Sequence, residues 1–539
     1  MTSKALEISV NYCSFSMADG KSVVFVYASD TKTTQVKEDK ERLDVEHIES
    51  NNLDSDAQRL QDLGYKQEFK REISLFVQAG FSFTTMAVMP NWLVGFGASM
   101  AAGGPSSLFW GWIVVIPFVS SIALSMAEVI SAYPLAGGVY SWSYLLSSKK
   151  WGPLMSWING YVYLIGLVTA NITLAYTSAD FIYGISNTLN ITQITSQGAY
   201  IGLYCGIFIA ATLYNMLGMK FSSYMNKFMV FWCLIGSIVI ICACPAMAPS
   251  HKSAKWVFTE FANNTGYGNQ GLVFFLGLLQ AGWTLVGYEC GAQIVEGTKN
   301  ANRTAPRGIV ICIISAFVQG FVLIIAVLFS IQDVDALQES SMPIATFFEA
   351  ATNAKVAAFF LVILLVVQLG SLCNSILATA HVFWAMSRDG CLPFSSFLYK
   401  LSGKNHIPVN ALIVQLVISI AIMMPTFGSV VYWEAVMSAA VISINVSYGI
   451  PFLCRLIWVG NKMEKGPFDL GRFSIPLNII SIIWICFFGI ILCFPSIHPV
   501  SPESMNWASV MIGGIMTLSI VFWFAVGRKR YTGPVQTAE

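Results

Sequence analysis

The chain has 539 residues, of which 55% are hydrophobic and only 11% charged, and its mean hydropathy is +0.64. That balance excludes a water-facing surface over most of the chain and makes lipid its main solvent. A net charge of +1 provides no field to gather nucleic acid or an acidic partner.

Residues 1 to about 70 are polar and mixed in charge, with short apolar patches such as Val23 to Ala28. The run Lys37-Glu38-Asp39-Lys40-Glu41-Arg42 reads as a solvated tail, disordered or loosely helical. Beyond it, hydropathy predicts twelve transmembrane helices, each with about 20 mostly apolar residues. They cover roughly 73–101, 106–132, 152–176, 197–217, 226–246, 270–294, 308–331, 356–385, 409–426, 430–455, 475–495 and 507–527. The expected organisation is a cytoplasmic tail over 1–70, an all-α polytopic membrane body over 71–530 and a cytoplasmic C-terminal tail over 531–539. Charge supports it. Of 30 Lys and Arg residues, all but Lys252, Lys255 and Lys355 fall in the tails or in loops on the same side. Positive charge collects on the cytoplasmic side, so both ends are expected there.

Two spans look interrupted. In the first, Pro90 lacks a backbone donor and disfavours helix at Met89, and the polar Asn91 and Trp92 follow. A simple kink and an unwound turn are equally good readings. In the sixth, Gly287-Tyr288-Glu289-Cys290-Gly291 places an acid near mid-span. An ionisable group there costs about 2.5–3.5 kcal/mol on insertion scales, so Glu289 is expected to face the protein interior. It reads as a proton carrier or amine ligand in preference to a packing residue. Discontinuous helices leave backbone dipoles free for a solute at the bilayer midplane. Their separation by five spans suggests a five-plus-five inverted repeat.

Other intramembrane polar residues are Asn171, Gln280, Gln368, Ser371 and Asn374, each a candidate for the path or for interhelical hydrogen bonding. His381 is a titratable candidate near one end of the eighth span. The twelve cysteines form no CxxC pair and no Cys/His cluster, so no metal and no cofactor is expected.

The motifs then become familiar. Glu128-Val129-Ile130-Ser131-Ala132-Tyr133-Pro134 is followed by Ala136-Gly137-Gly138-Val139-Tyr140. Trp283-Thr284-Leu285-Val286-Gly287-Tyr288-Glu289 leads to Glu296-Gly297-Thr298-Lys299-Asn300. Ser387-Arg388-Asp389-Gly390 and Ile407-Pro408-Val409-Asn410 come later. Together these resemble the amino acid–polyamine–organocation superfamily over roughly residues 62–535. Gly103-Gly104-Pro105, the segment from Phe261 to Gly266 and Gly466-Pro467-Phe468-Asp469-Leu470-Gly471 narrow the resemblance. They are similar to the amino acid/choline transporter branch, with its fungal GABA and choline permeases and plant bidirectional amino acid transporters.

The resemblance implies five plus five inverted-repeat helices and two more at the C-terminus. It puts the substrate between the two breaks, its carboxylate at Pro90, Asn91 and Trp92, its amine at Trp283, Val286, Gly287 and Tyr288. Trp283 would gate and Glu289 would couple transport to an ion. His381, Asn374, Ser371 and Asn171 would act as gating or secondary groups. Two departures stand out: relatives often carry Gly where this chain has Pro90-Asn91, and Arg where it has His381. The expected function is a non-enzymatic secondary transporter of amino acids or amines such as GABA, driven by protons or a counter-solute. A choline, polyamine or vitamin-amine permease and a non-transporting nutrient receptor are the alternatives. The plasma membrane is the expected host, ahead of vacuolar or secretory membranes.

Overall fold

A computed structural model describes residues 11–16, 22–27, 55–64, 71–191, 196–340, 342–403, 406–427, 431–501 and 505–534. The chain divides into two units, Met1–Gln58 and Arg59–Glu539. In the first, Asn11–Ser16 pairs antiparallel with Ser22–Tyr27, from Asn11 opposite Tyr27 to Ser16 opposite Ser22. Valines and aromatics dominate the second strand, and such side chains favour a pleated backbone. This hairpin departs from the loosely helical or disordered tail expected there. Most of that tail and residues 535–539 lie outside the described residues.

The second unit is helical. Nine described helices are long and apolar enough to cross a membrane: Gly104–Ala132, Gly152–Thr188, Gln197–Asn215, Met219–Met247, Ala301–Ser330, Ala354–Arg388, Ala435–Lys462, Gly471–Ile491 and Ala508–Arg530. Val409–Met423 is a shorter apolar helix. Polar caps fix where several begin. Ser74 accepts from the Val77 amide, Ser196 from Ala199 and Asn353 from Val356. The third helix runs to Thr188, well beyond the expected 176, and the fifth begins at Met219 instead of 226.

The helices keep apolar side chains on their outer faces. Phe228, Phe231, Ile235 and Ile238 are exposed on one helix, and Leu518, Val521 and Phe524 on another. Such surface is compatible with lipid and not with water. Apolar contact alone does not hold helices together in lipid, so close packing and interhelical hydrogen bonds must. Gly152–Thr188 packs on Ala354–Arg388 and on Val431–Cys454, while Gly104–Ala132 and Leu75–Met86 pack on Ala301–Ser330. Tyr531, the first residue of the expected C-terminal tail, is buried.

Candidate functional site

The first span is broken, but one turn earlier than its proline suggests. Leu75–Met86 ends at Ala87, whose φ of 42° is left-handed, and Val88–Val94 restarts the helix. Pro90 falls in the first turn of that second half, where a missing N–H costs nothing. The expected break at Pro90-Asn91 is therefore corrected to Ala87. The Asn91 amide already donates to the Ala87 carbonyl at 3.0 Å. The first-turn amides without an intrahelical acceptor belong to Val88 and Met89. Two side chains hold the end of the first half open: Ser371 donates to the Thr85 carbonyl at 2.5 Å, and Asn91 Nδ2 to the Met86 carbonyl at 2.8 Å.

The sixth span is broken where expected. Leu279–Thr284 stops, Leu285 to Glu289 is non-helical, and Cys290–Gln293 resumes. Gly287 has a φ of 104°, which a side chain would strain. A Cβ there would lie 3.6 Å from Thr85 Cγ2 and 3.7 Å from the Met86 nitrogen. The two breaks thus face one another at backbone contact.

Between them lies a small cavity. Asn91, Trp283, Val286, Gly287 and Glu289 line it, joined by Thr85, Cys290 and Ser375. Pro90, Trp92 and Tyr288 do not. Trp92 is buried against Phe96, with ring centroids 5.7 Å apart, and Tyr288 against Tyr448 at the same distance. Both rings are taken up by packing. Glu289 is 1% exposed. Tyr163 donates to its Oε1 at 3.3 Å, and the Tyr448 phenol is beside it. Among the described residues Glu289 has no ion-pair partner. Burying a bare carboxylate without a cation costs several kcal/mol, on the order of the attraction a cation would return. Tyr163 and Tyr448 carry no mark in the sequence; tyrosines in an apolar span read as packing.

The secondary candidates divide. Asn171 donates to Thr379 Oγ1 at 2.9 Å and ties two helices together. Asn374 donates to Thr84 Oγ1 at 2.7 Å, within a cluster that includes Asn226. Gln368 donates to Thr177 Oγ1 at 2.6 Å and to Asn91 Oδ1 at 3.2 Å. His381 Nδ1 donates to the Leu377 carbonyl at 2.9 Å. It lines a second cavity, with Gln293, Glu296 and Lys220. Only short stretches divide the two cavities: Cys290 lines the first and Gln293 the second, Ser375 the first and Leu377 the second. At the wall of this cavity Glu296 Oε1 lies 3.5 Å from Arg388 Nη1 and accepts from the Ala136 amide at 3.1 Å.

The amino acid permease family model matches residues 73–516. An amino-acid permease BAT1 homolog of Oryza sativa subsp. japonica is 31% identical over 89% of this chain and 96% of its own length. The amino-acid permease BAT1 of Arabidopsis thaliana is 28% identical over 90% of this chain and 97% of its own. Amino-acid permease 2 of Neurospora crassa is 28% identical, over 90% of each.

Proposed function

This chain belongs to the amino acid permease family, and from that premise we propose that it is a secondary active transporter of amino acids or amino-acid-like amines such as GABA. The observation that carries the reading is the pair of facing breaks, at Ala87 and at Gly287, around one cavity with a buried acid. Freed helix ends supply partial positive charge at an N-terminus and partial negative charge at a C-terminus, which suits a zwitterion. In this reading the substrate carboxylate meets the first-turn amides of Val88 and Met89, and its amine meets carbonyls near Trp283 and Val286. Glu289 takes up and releases a proton as the site changes its exposure. Twelve crossings in a five-plus-five repeat with two further helices, both ends cytoplasmic and a plasma-membrane host complete the proposal. The skewed distribution of Lys and Arg supports the orientation.

The test is reconstitution into proteoliposomes. Uptake of labelled amino acids, GABA, choline and polyamines is measured with and without a pH gradient. Uptake of amino acids or GABA is expected, and Glu289→Gln should abolish accumulation driven by the gradient while leaving exchange. Uptake of choline or polyamines alone would replace the substrate class. Binding without flux would make the protein a receptor.

A further inference from the structure

A glutamine stands ahead of each break, and each reaches across to the other broken span. Gln280, in Leu279–Thr284, donates through Nε2 to the Asn91 carbonyl at 2.5 Å and to the Trp92 carbonyl at 2.8 Å. Gln78, in Leu75–Met86, donates to the Gly291 carbonyl at 2.7 Å, and its Oε1 accepts from the Thr298 hydroxyl at 2.9 Å. The two contacts correspond. Asn91 lies four residues past Ala87, and Gly291 lies four past Gly287. Both glutamines are buried, so their amides have no water to fall back on.

The accepting side has a chemical reason. Val88–Val94 is so short that the Asn91 and Trp92 carbonyls fall within its last turn, where no intrahelical donor remains. A glycine makes room for each amide. A Cβ on Gly95 would fall 1.5 Å from Gln280 Oε1, and one on Gly291 would fall 2.7 Å from Gln78 Nε2. The Gln78 pair is stitched further. The Glu72 and Ile73 amides donate to the Gly297 carbonyl, at 2.9 and 3.0 Å, and the Lys299 amide donates to the Ile73 carbonyl at 3.0 Å.

We infer that Gln78 and Gln280 are positioning residues that clasp the four half-helices into two pairs. Val88–Val94 moves with Leu279–Thr284, Leu75–Met86 moves with Cys290–Gln293, and Ala87 and Gly287 act as the hinges. Neither broken span then moves as a single rod. The clasps also hold the freed backbone groups of the two breaks opposite one another. This inference rests on the permease reading for its purpose, but its test needs no solute.

The experiment is amide hydrogen exchange by mass spectrometry on the full chain in lipid nanodiscs. Gln280→Met keeps side-chain length and removes the donor. It should raise exchange roughly five- to tenfold in both 88–94 and 279–284, with 75–86 and 290–293 unchanged. Gln78→Met should give the opposite pattern. Gly95→Ala and Gly291→Ala push the same amides away from the other side and should reproduce the two patterns in turn. Exchange raised only in the helix that carries the substitution, or raised evenly over both pairs, would overturn the inference. A negative uptake screen would leave the exchange patterns unaltered, so the two failures are separable.

Discussion

Ala87 makes the sharpest demand of any non-glycine residue on the backbone near the cavity. A left-handed conformation costs an L-residue about 1–2 kcal/mol, and a β-branched side chain more. Ala87→Gly should therefore leave the thermal midpoint in nanodiscs nearly unchanged, since relief of strain offsets the lost methyl. Ala87→Val should lower it and abolish uptake, and retained uptake in that variant would show that the left-handed turn is dispensable. Trp283, 5% exposed and lining the cavity, should act on affinity. Trp283→Ala is expected to raise the apparent KM several-fold, while unchanged uptake kinetics would return the ring to packing. Glu289 and Gly287 were legible in the sequence because an acid and a glycine are out of place in a spanning helix. Ala87 was not, because alanine is the best helix former. Its turn is imposed from outside, by Ser371 on the Thr85 carbonyl and Asn91 on the Met86 carbonyl. Pro90 drew attention one turn too far along the chain and is itself well placed in a helix start.

Between elements, the motifs seen separately in the sequence turn out to be one assembly. Glu128 lies in the last turn of the helix Gly104–Ala132, and Arg455 follows Val431–Cys454; they meet at 2.7 Å, and both side chains are 3% exposed. Ser474 Oγ lies 2.5 Å from each. The Leu470 amide donates to Glu128 at 3.4 Å and the Phe468 amide to Ser131 at 2.9 Å. The Gly466 to Gly471 segment is therefore held by the same acid that opens the earlier motif. Hydropathy put Arg455 at the end of a span, beside a loop, and gave it no partner, because partners 327 residues apart leave no local pattern. Breaking a buried pair by removing one partner costs about 3–5 kcal/mol, whereas replacing both with well-packed neutral groups costs far less. Arg455→Met should thus lower the thermal midpoint strongly, and adding Glu128→Gln should recover much of the loss. If the double variant is as unstable as the single one, the stranded carboxylate is not the cause.

Across the whole molecule, the hydropathy pattern gave the helical membrane body its architecture, but not the way the chain closes on itself. Residues 531–539 read as a tail because Arg528, Lys529 and Arg530 precede them and no apolar run follows. Yet Tyr531 is 3% exposed and turns back among the helices. Its hydroxyl lies 2.6 Å from Tyr140 Oη and 2.9 Å from Ser156 Oγ, and its ring is 5.5 Å from that of Trp157. Tyr140 in turn donates to Asp389 at 3.2 Å, beside the Arg388 that faces Glu296. The last described helix is thereby joined to the end of the eighth span and to the segment after the second break. One aromatic residue past a basic cluster is too small a signal for hydropathy to register, yet it fills a space bounded by three helices. Losing a buried aromatic ring costs about 3–5 kcal/mol, and losing one hydroxyl from a hydrogen-bonded chain about 1 kcal/mol. Tyr531→Ala should therefore lower the thermal midpoint in nanodiscs by several times the shift of Tyr531→Phe. Equal shifts would place the whole contribution in the hydroxyl chain, and no shift in either variant would mean that the chain end does not brace the bundle.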